Sequence, residues 1–174
     1  MVNRSVFLKK QALDAELGKL DPPSALVRVD SRLATESDAE FVFEMKVTKA
    51  KLLSSLGRKN EAIVLLTECS RYPVADESAA YFAAEILVEE GRFREAIELL
   101  EMAEGDIKRS GSIYYKNCIY LLHAYCEFKK TQPERAKHLL AEVNDEDEAL
   151  FWLRVEPVIS VKKMREWLIL EGPR

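Results

Sequence analysis

The sequence is poor in the residues and runs that mark several classes of protein. Its 174 residues include only six glycines and six prolines, fewer than an all-β chain with a turn about every ten residues would need. The longest uninterrupted apolar run has six residues, 79–84, whereas a membrane-spanning helix needs about 20. Lys9, Lys10 and Asp14 interrupt the apolar residues near the start, so we expect no signal peptide and no membrane insertion.

Cysteine is also scarce. The three cysteines, Cys69, Cys118 and Cys126, form no CxxC pair, and an odd number fits a reducing compartment better than a disulfide scaffold. If Cys118 and Cys126 share a helix, they lie about 12 Å apart along it, which is too far for a disulfide. We therefore predict a soluble, cytoplasmic protein.

Charge and composition exclude two further classes. With 48% hydrophobic and 32% charged residues, the chain is not expected to be disordered. Its 26 basic and 30 acidic residues give a net charge of −4 and a pI near 5.4. A nucleic-acid partner is therefore not expected, because binding one needs a concentrated basic face.

Sequence motifs for catalysis are absent. No GxxxxGK, GxGxxG, GxSxG or HExxH pattern occurs. His123 and Cys126 would share a helix face, as in a nucleophile–base pair or half of a metal site, but a structural role is the commoner one. Asp145 and Asp147 begin like a calcium loop, yet Leu150 stands where glycine is required. We expect neither an enzyme nor a cofactor or metal site.

What the sequence does contain is a repeat. Residues 57–66 read GRKNEAIVLL and residues 91–100 read GRFREAIELL, so seven of ten positions agree at an offset of 34. Ala50 and Ala84 each lie seven residues before the glycine that opens their copy. Small side chains let two helices approach closely, and glycine accepts the backbone conformation of a tight turn. The pattern predicts two similar helical hairpins.

A third, weaker copy follows the first two. Ala124 and Ala136 keep the twelve-residue spacing that separates Ala50 from Ala62 and Ala84 from Ala96. Thr131 stands where the other copies have the turn glycine. Pro133 would occupy the first turn of the next helix, where its missing N–H is harmless. The offset from Ala96 to Ala136 is 40 instead of 34, which predicts a six-residue insertion around residues 108–116.

This pattern resembles the tetratricopeptide repeat (TPR), a helix–turn–helix unit of about 34 residues. The resemblance implies an all-α, TPR-like α-solenoid in one domain, 1–174. Its three repeats would occupy residues 43–76, 77–110 and 117–150. The bulky aromatic residue usual in the first helix of a TPR is matched only by Tyr120, since Lys46 and Ala80 occupy that position in the first two copies.

The flanks are also expected to be helical. Residues 1–36 are predicted to form an N-terminal helical pair, and residues 151–171 to form C-terminal capping helices. Asp21, followed by two prolines, would cap the second helix, and Ser37 with Glu40 would form a capping box before the first repeat. The first helix carries one apolar stripe, made of Val6, Leu13, Leu17 and Leu20.

The resemblance implies that the first helix of each repeat lines a concave groove. The groove positions fall on Val47, Lys51, Ser54, Tyr81, Glu85, Val88, Leu121, Tyr125 and Phe128. A core role stays open as the alternative for Tyr81, Tyr125 and Phe128. Some TPR arrays clamp a terminal carboxylate with four basic or amide residues, but here only Lys51 of the matching positions Val47, Lys51, Cys118 and Leu122 is cationic. Binding is expected to be mainly hydrophobic.

We therefore predict a protein-interaction adaptor or a chaperone that binds a peptide or amphipathic helix of a partner protein. The layout also resembles the class II chaperones of bacterial type III secretion, which implies a homodimer through the N-terminal helices. The alternative is a structural subunit that self-associates through the stripe in residues 4–20 or through the end that carries Trp152 and Trp167. An enzyme on a helical scaffold is the least supported hypothesis.

Overall fold

The computed structural model describes residues 3–112, 114–143, 150–151 and 158–170. These residues form nine α-helices and one short pair of strands. The helices are α1 (Arg4–Leu17), α2 (Pro22–Leu33), α3 (Ala39–Ser55), α4 (Lys59–Cys69), α5 (Glu77–Glu89), α6 (Phe93–Ser110), α7 (Lys116–Lys129), α8 (Pro133–Ala141) and α9 (Val161–Leu170). None of these helices is both long enough and apolar enough to cross a membrane.

The fold is therefore all-α, as predicted, and its chain divides into two compact units. Unit 1 is Met1–Ala75 and unit 2 is Asp76–Arg174. The division lies one residue from the predicted boundary between the first and second repeats. Unit 1 contains helices α1–α4, and unit 2 contains helices α5–α9 with the strand pair.

Helix starts in unit 1 follow from local hydrogen bonds. The Asp21 carboxylate accepts a hydrogen bond from the Ser24 backbone N–H at 2.9 Å, which confirms the predicted cap of α2. The prediction that Ser37 caps α3 is wrong, because Asp38 is the N-cap and accepts from the Phe41 N–H. The Glu36 carboxylate accepts from the backbone N–H groups of both Ser37 and Asp38, so Ser37 is held in the loop before the cap.

The core of unit 1 uses the predicted stripe of the first helix. Val6, Leu13 and Leu17 of α1 are buried in one cluster with residues of α2 and α3. Leu20, the last residue of the stripe, is 40% exposed. Three of the four side chains of the stripe are thus buried inside unit 1, so the predicted stripe does not offer a surface for self-association.

The alanines of the repeat are buried in packed helix pairs. In unit 1, α3 packs on α4, and Ala50 and Ala62 are fully buried. In unit 2, α5 packs on α6, and Ala84 and Ala96 are fully buried. These positions agree with the prediction that small side chains allow the two helices of each hairpin to approach closely.

The turns of the three hairpins have the same backbone geometry. Gly57, Gly91 and Thr131 have φ angles of 79°, 73° and 59°. In each turn, the backbone N–H of the residue with positive φ donates to the carbonyl three residues earlier. The N–H of the following residue donates to the carbonyl five residues before its own position. The N···O distances are 2.9–3.0 Å. This is the Schellman arrangement at a helix C-terminus. The third copy is therefore a hairpin of the same kind, although its turn residue is not glycine.

The predicted insertion mainly lengthens a helix. Helix α6 has 18 residues, whereas α4, at the same place in the first hairpin, has 11. Gly111 ends α6 with a φ of 69°, and its N–H bonds to the Ile107 carbonyl at 2.8 Å. The extra chain thus continues α6 before it turns toward α7.

The C-terminal part of unit 2 contains a strand pair and a helix. Leu150–Phe151 pairs antiparallel with Ile159–Ser160, so Phe151, which was expected in a helix, has extended backbone. Helix α9 packs on α7 and α8 and buries Val161, Met164 and Leu168. The predicted end of the third repeat at residues 144–149 and the first part of the predicted capping helices at residues 152–157, which includes Trp152, lie outside the described residues.

Candidate functional site

In unit 1 the predicted groove positions lie on α3. Val47 is buried, Ser54 is half-buried and Lys51 is exposed. They share a face of the helix because they are four and three residues apart. Of the three, Lys51 presents the most accessible side chain to a partner.

A lysine replaces the usual aromatic residue of the first helix, and the structure shows how it is accommodated. The Lys46 ammonium donates a hydrogen bond to the Tyr72 hydroxyl and lies 4.7 Å from the centre of the Tyr72 ring. The hydrogen bond from Lys46 to Tyr72 raises the pKa of Lys46. Tyr72 lies just beyond α4 and is far from Lys46 in sequence, so repeat periodicity gave no sign of this pair.

In unit 2 the first groove positions form a hydrogen-bonded pair on α5. The Tyr81 hydroxyl donates to the Glu85 carboxylate at 2.6 Å, one helical turn away. The Tyr81 ring stacks on Tyr115, with ring centroids 5.3 Å apart, and is 4% exposed. Burial raises the pKa of the Tyr81 phenol, so this hydroxyl stays a donor and holds the half-buried Glu85 carboxylate in place.

Tyr115 belongs to the segment where the insertion was predicted. Its ring also packs edge-on against Phe82 at 5.5 Å, and the neighbouring Ser112 hydroxyl donates to the Glu77 carboxylate at the start of α5. The insertion therefore covers the beginning of α5 with aromatic and polar contacts. Burial also raises the pKa of the half-buried Cys118 thiol beside this site.

The groove positions of the third repeat lie beneath the C-terminal helix. Tyr125 is 1% exposed, and its ring centroid lies 6.2 Å from that of Trp167 in α9. Phe128 is half-buried and stacks on Trp167, with centroids 5.6 Å apart and planes 17° apart. Of the two alternatives left open by the sequence, the core describes Tyr125, whereas Phe128 is a partly accessible ring at its edge.

The two groove positions not yet described, Val88 and Leu121, are buried. Val47, Tyr81 and Tyr125 are buried as well. The predicted residues that keep accessible surface are Lys51, Ser54, Glu85 and Phe128. Direct contact with a partner stays a prediction for these four residues.

Unit 2 also contains a buried polar cluster. His123 is 1% exposed, and its Nδ1 lies 2.5 Å from the Glu104 carboxylate of α6. Its Nε2 is 3.5 Å from the buried Glu127 and has no hydrogen-bond partner in the described part of the chain. The Arg135 guanidinium of α8 contacts the same Glu127 oxygen at 2.9 Å. The expected structural role of His123 agrees with this burial, but its partners could not be predicted, because Glu104 lies on another helix.

This cluster is a poor candidate for catalysis. A general base must reach a substrate proton, and His123 is enclosed among α6, α7 and α8. Burial raises the pKa of the neighbouring Cys126 thiol well above its usual range, which disfavours the reactive thiolate. Among the residues that the structure describes, no three His, Cys, Asp or Glu side chains could together hold a metal ion. The arrangement instead links three helices through charge-assisted hydrogen bonds.

Comparison with known proteins supports the fold. The structure is similar to a solved structure described as "MamA RS-1 ArsTM double mutant", with a TM-score of 0.62 and 16% sequence identity over 84% of this chain and 78% of that one. MamA is a TPR-containing protein, so the chain has a TPR-like all-α fold. No protein-family model and no curated protein sequence matches the chain.

Proposed function

We propose that this chain is a non-enzymatic, cytoplasmic adaptor or chaperone that binds a peptide or amphipathic helix of a partner protein. The TPR-like fold supports an interaction role, since first helices of such hairpins present one face to a partner. A chaperone with the layout of the class II type III secretion chaperones would be a special case of this role.

The proposal rests on one observation. The accessible residues on the first helices of the hairpins include both a charged and an apolar side chain. On α5, Tyr81 fixes the Glu85 carboxylate through a 2.6 Å hydrogen bond. On α7, the half-buried Phe128 ring offers apolar surface beside Trp167. An amphipathic segment combines the same two features. Each large apolar side chain that it buries would contribute about 1.5–3 kcal/mol before ordering costs.

The test is affinity capture from the cells that produce the chain, with bound proteins identified by mass. The informative variant is Glu85→Lys on α5, and its matched control is Glu98→Lys, an exposed residue of the second helix α6. Both variants change the charge by the same amount. We expect Glu85→Lys to reduce capture of a specific partner at least tenfold, and Glu98→Lys to leave it unchanged.

Phe128→Ala provides a second variant on the same face. It should weaken capture of the same partner, with circular dichroism checking that the helices are retained. Equal capture by wild type, Glu85→Lys and Phe128→Ala would rule out the first-helix face as the binding surface.

The second candidate function is a self-associating structural subunit. It is favoured by exposed apolar residues outside the groove positions, namely Phe7, Leu8, Val27, Val64, Ile169 and Leu170. Deleting the N-terminal extension, 1–36, would be an ambiguous test, because α1 supplies core residues of unit 1. Measuring the mass of the intact chain against concentration avoids that problem, and a constant monomer mass would exclude this candidate.

A further inference from the structure

The ring pair of Phe128 and Trp167 in unit 2 is bordered by cations. The Lys129 ammonium, at the end of α7, lies 5.9 Å from the Trp167 ring centre, and the Lys163 ammonium, in the first turn of α9, lies 4.9 Å from it. Leu170, which is 81% exposed, lies one turn after Trp167 on the same side of α9. We call these five residues the α7–α9 basic face: Phe128, Lys129, Lys163, Trp167 and Leu170.

The charged residues of these two elements are mainly basic. The last turn of α7, its C-cap and α9 together contain five basic residues: Lys129, Lys130, Lys162, Lys163 and Arg165. The same stretches contain two acidic residues. Glu127 is 3% exposed and contacts Arg135 at 2.9 Å, whereas the exposed Glu166 lies about 100° around α9 from Trp167. Positive charge therefore predominates in these stretches, although the chain has a net charge of −4.

Helix stability does not explain the lysines of α9. A cation is favourable at a helix C-terminus, which suits Lys129 and Lys130 at the end of α7. Lys162 and Lys163 instead lie in the first turn of α9, which has no acidic residue and where the helix dipole favours acidic side chains. Helices α3–α6 and α8 each have a glutamate in that turn. A binding role accounts for cations that the helix itself disfavours.

Contacts within the chain fix the positions of both ammonium groups. Besides its contact with the Trp167 ring, the Lys163 ammonium donates to the Val158 carbonyl at 3.0 Å. The Lys129 ammonium also lies 5.3 Å from the centre of the Tyr125 ring. An ammonium carries three N–H donors, so it can hold a carboxylate of another molecule while it keeps such contacts. A side chain that is already ordered also loses less conformational entropy when a partner binds.

We propose that the α7–α9 basic face binds an acidic amphipathic segment of the partner protein. Carboxylates of the segment contact the Lys129 and Lys163 ammonium groups, and one of its apolar side chains packs against Phe128 and Leu170. Ammonium groups at fixed positions favour carboxylates at a matching spacing on a helix over the fluid surface of an anionic membrane. This inference rests on the proposed function and adds the charge of the partner segment, so binding at this face is electrostatic as well as hydrophobic.

Three labelled helical peptides test the proposal. They share one stripe of leucines and carry glutamate, glutamine or lysine at the same solvent-facing positions, and fluorescence anisotropy with the full chain gives the Kd of each. The net charge of −4 would by itself favour the lysine peptide. We expect the opposite order, with the glutamate peptide binding about tenfold more tightly than the glutamine peptide. Added salt should reduce this advantage.

Charge reversal shows where the glutamate peptide binds. Lys129→Glu and Lys163→Glu should each weaken its binding about threefold to tenfold, and each variant tests the face independently of the other. Lys162→Glu is the matched control, because it makes the same charge change in the same turn of α9 but lies about 140° around the helix from Trp167. It should bind the peptide as the wild type does, and circular dichroism should show the same helix content for all variants.

Equal binding of the three peptides, or no binding of the glutamate peptide, would overturn the proposal. So would equal losses in Lys162→Glu and Lys163→Glu, or binding to phosphatidylserine vesicles by a chain that does not bind the glutamate peptide. If the glutamine peptide binds as tightly as the glutamate peptide and Phe128→Ala weakens both, only this inference fails. The proposed function fails separately, when Glu85→Lys and Phe128→Ala capture the cellular partner as well as the wild type does.

Discussion

The indole ring of Trp167 lies almost parallel to the phenyl ring of Phe128, with centroids 5.6 Å apart. Trp167 is in the C-terminal helix α9, and Phe128 is in the first helix of the third hairpin. Two cations flank the indole, since the Lys129 and Lys163 ammonium groups lie 5.9 and 4.9 Å from its ring centre. The pair therefore attaches α9 to the third hairpin and covers part of the Phe128 ring, which is half-buried.

Removing the indole should loosen this attachment. We expect Trp167→Ala to lower the free energy of unfolding by about 2–3 kcal/mol, less than the roughly 3–5 kcal/mol of a fully buried ring, because Trp167 is half-buried. Urea denaturation followed by circular dichroism measures the change. Ile169→Ala is the control on the same helix, since Ile169 is 79% exposed, and it should be nearly neutral. A neutral Trp167→Ala would contradict a stabilising role for this stack.

Thr131 offers a test of the hairpin turns. Its φ of 59° is costly for a β-branched residue, by about 1–2 kcal/mol, whereas glycine at the site would lose about 0.5–1 kcal/mol of conformational entropy. Thr131→Gly should therefore stabilise the chain by about 0.5–1 kcal/mol, seen as a higher melting temperature.

The reciprocal substitution is Gly91→Ala, in the matching turn of the second hairpin. No atom lies within 4 Å of an added Cβ at Gly91, so only the backbone conformation opposes alanine there. We expect a loss of about 1–2 kcal/mol. If Thr131→Gly destabilised the chain and Gly91→Ala stabilised it, the left-handed assignment of these turns would be wrong.

Close packing of the second hairpin is tested by Ala96→Leu. Ala96 is fully buried, like Ala84 of the partner helix, and extra methylene groups would force α5 and α6 apart. We expect a destabilisation of about 1–3 kcal/mol by chemical denaturation. Ala141→Leu, at an exposed position of α8, adds the same atoms and should change stability little. Equal, small effects of the two substitutions would show that the helix pair does not require a small residue.

The features that the sequence could predict are those that recur at a fixed spacing. The glycine and alanine positions predicted the hairpins, and Thr131 was placed in the third turn because it lies seven residues after Ala124, as each turn glycine does after its alanine. The Asp21 cap could also be predicted, because the hydrogen bond to the Ser24 N–H spans only three residues. Local backbone chemistry and periodicity were sufficient in all of these cases.

The features that the sequence could not predict are contacts between distant, non-repeating positions. Tyr125 shares a helix face with Leu121, and this spacing says nothing about whether Trp167 covers it. The partners of Lys46 and His123 are 26 and 19 residues away and follow no repeat. A groove residue and a core residue have the same periodicity, so access at these positions depends on which other helix packs there.

The last prediction concerns the buried carboxylate of Glu127. It is 3% exposed, and Arg135 contacts it at 2.9 Å while also reaching Glu101 at the surface at 2.6 Å. Arg135→Ala removes the charge partner but leaves the buried carboxylate, whose desolvation then goes uncompensated. We expect a loss of about 1–3 kcal/mol in unfolding free energy by urea titration. Glu101→Gln removes only the exposed ion pair and should cost less than about 0.5 kcal/mol, so a loss as large as that of Arg135→Ala would place the stabilising contact at Glu101 instead of Glu127.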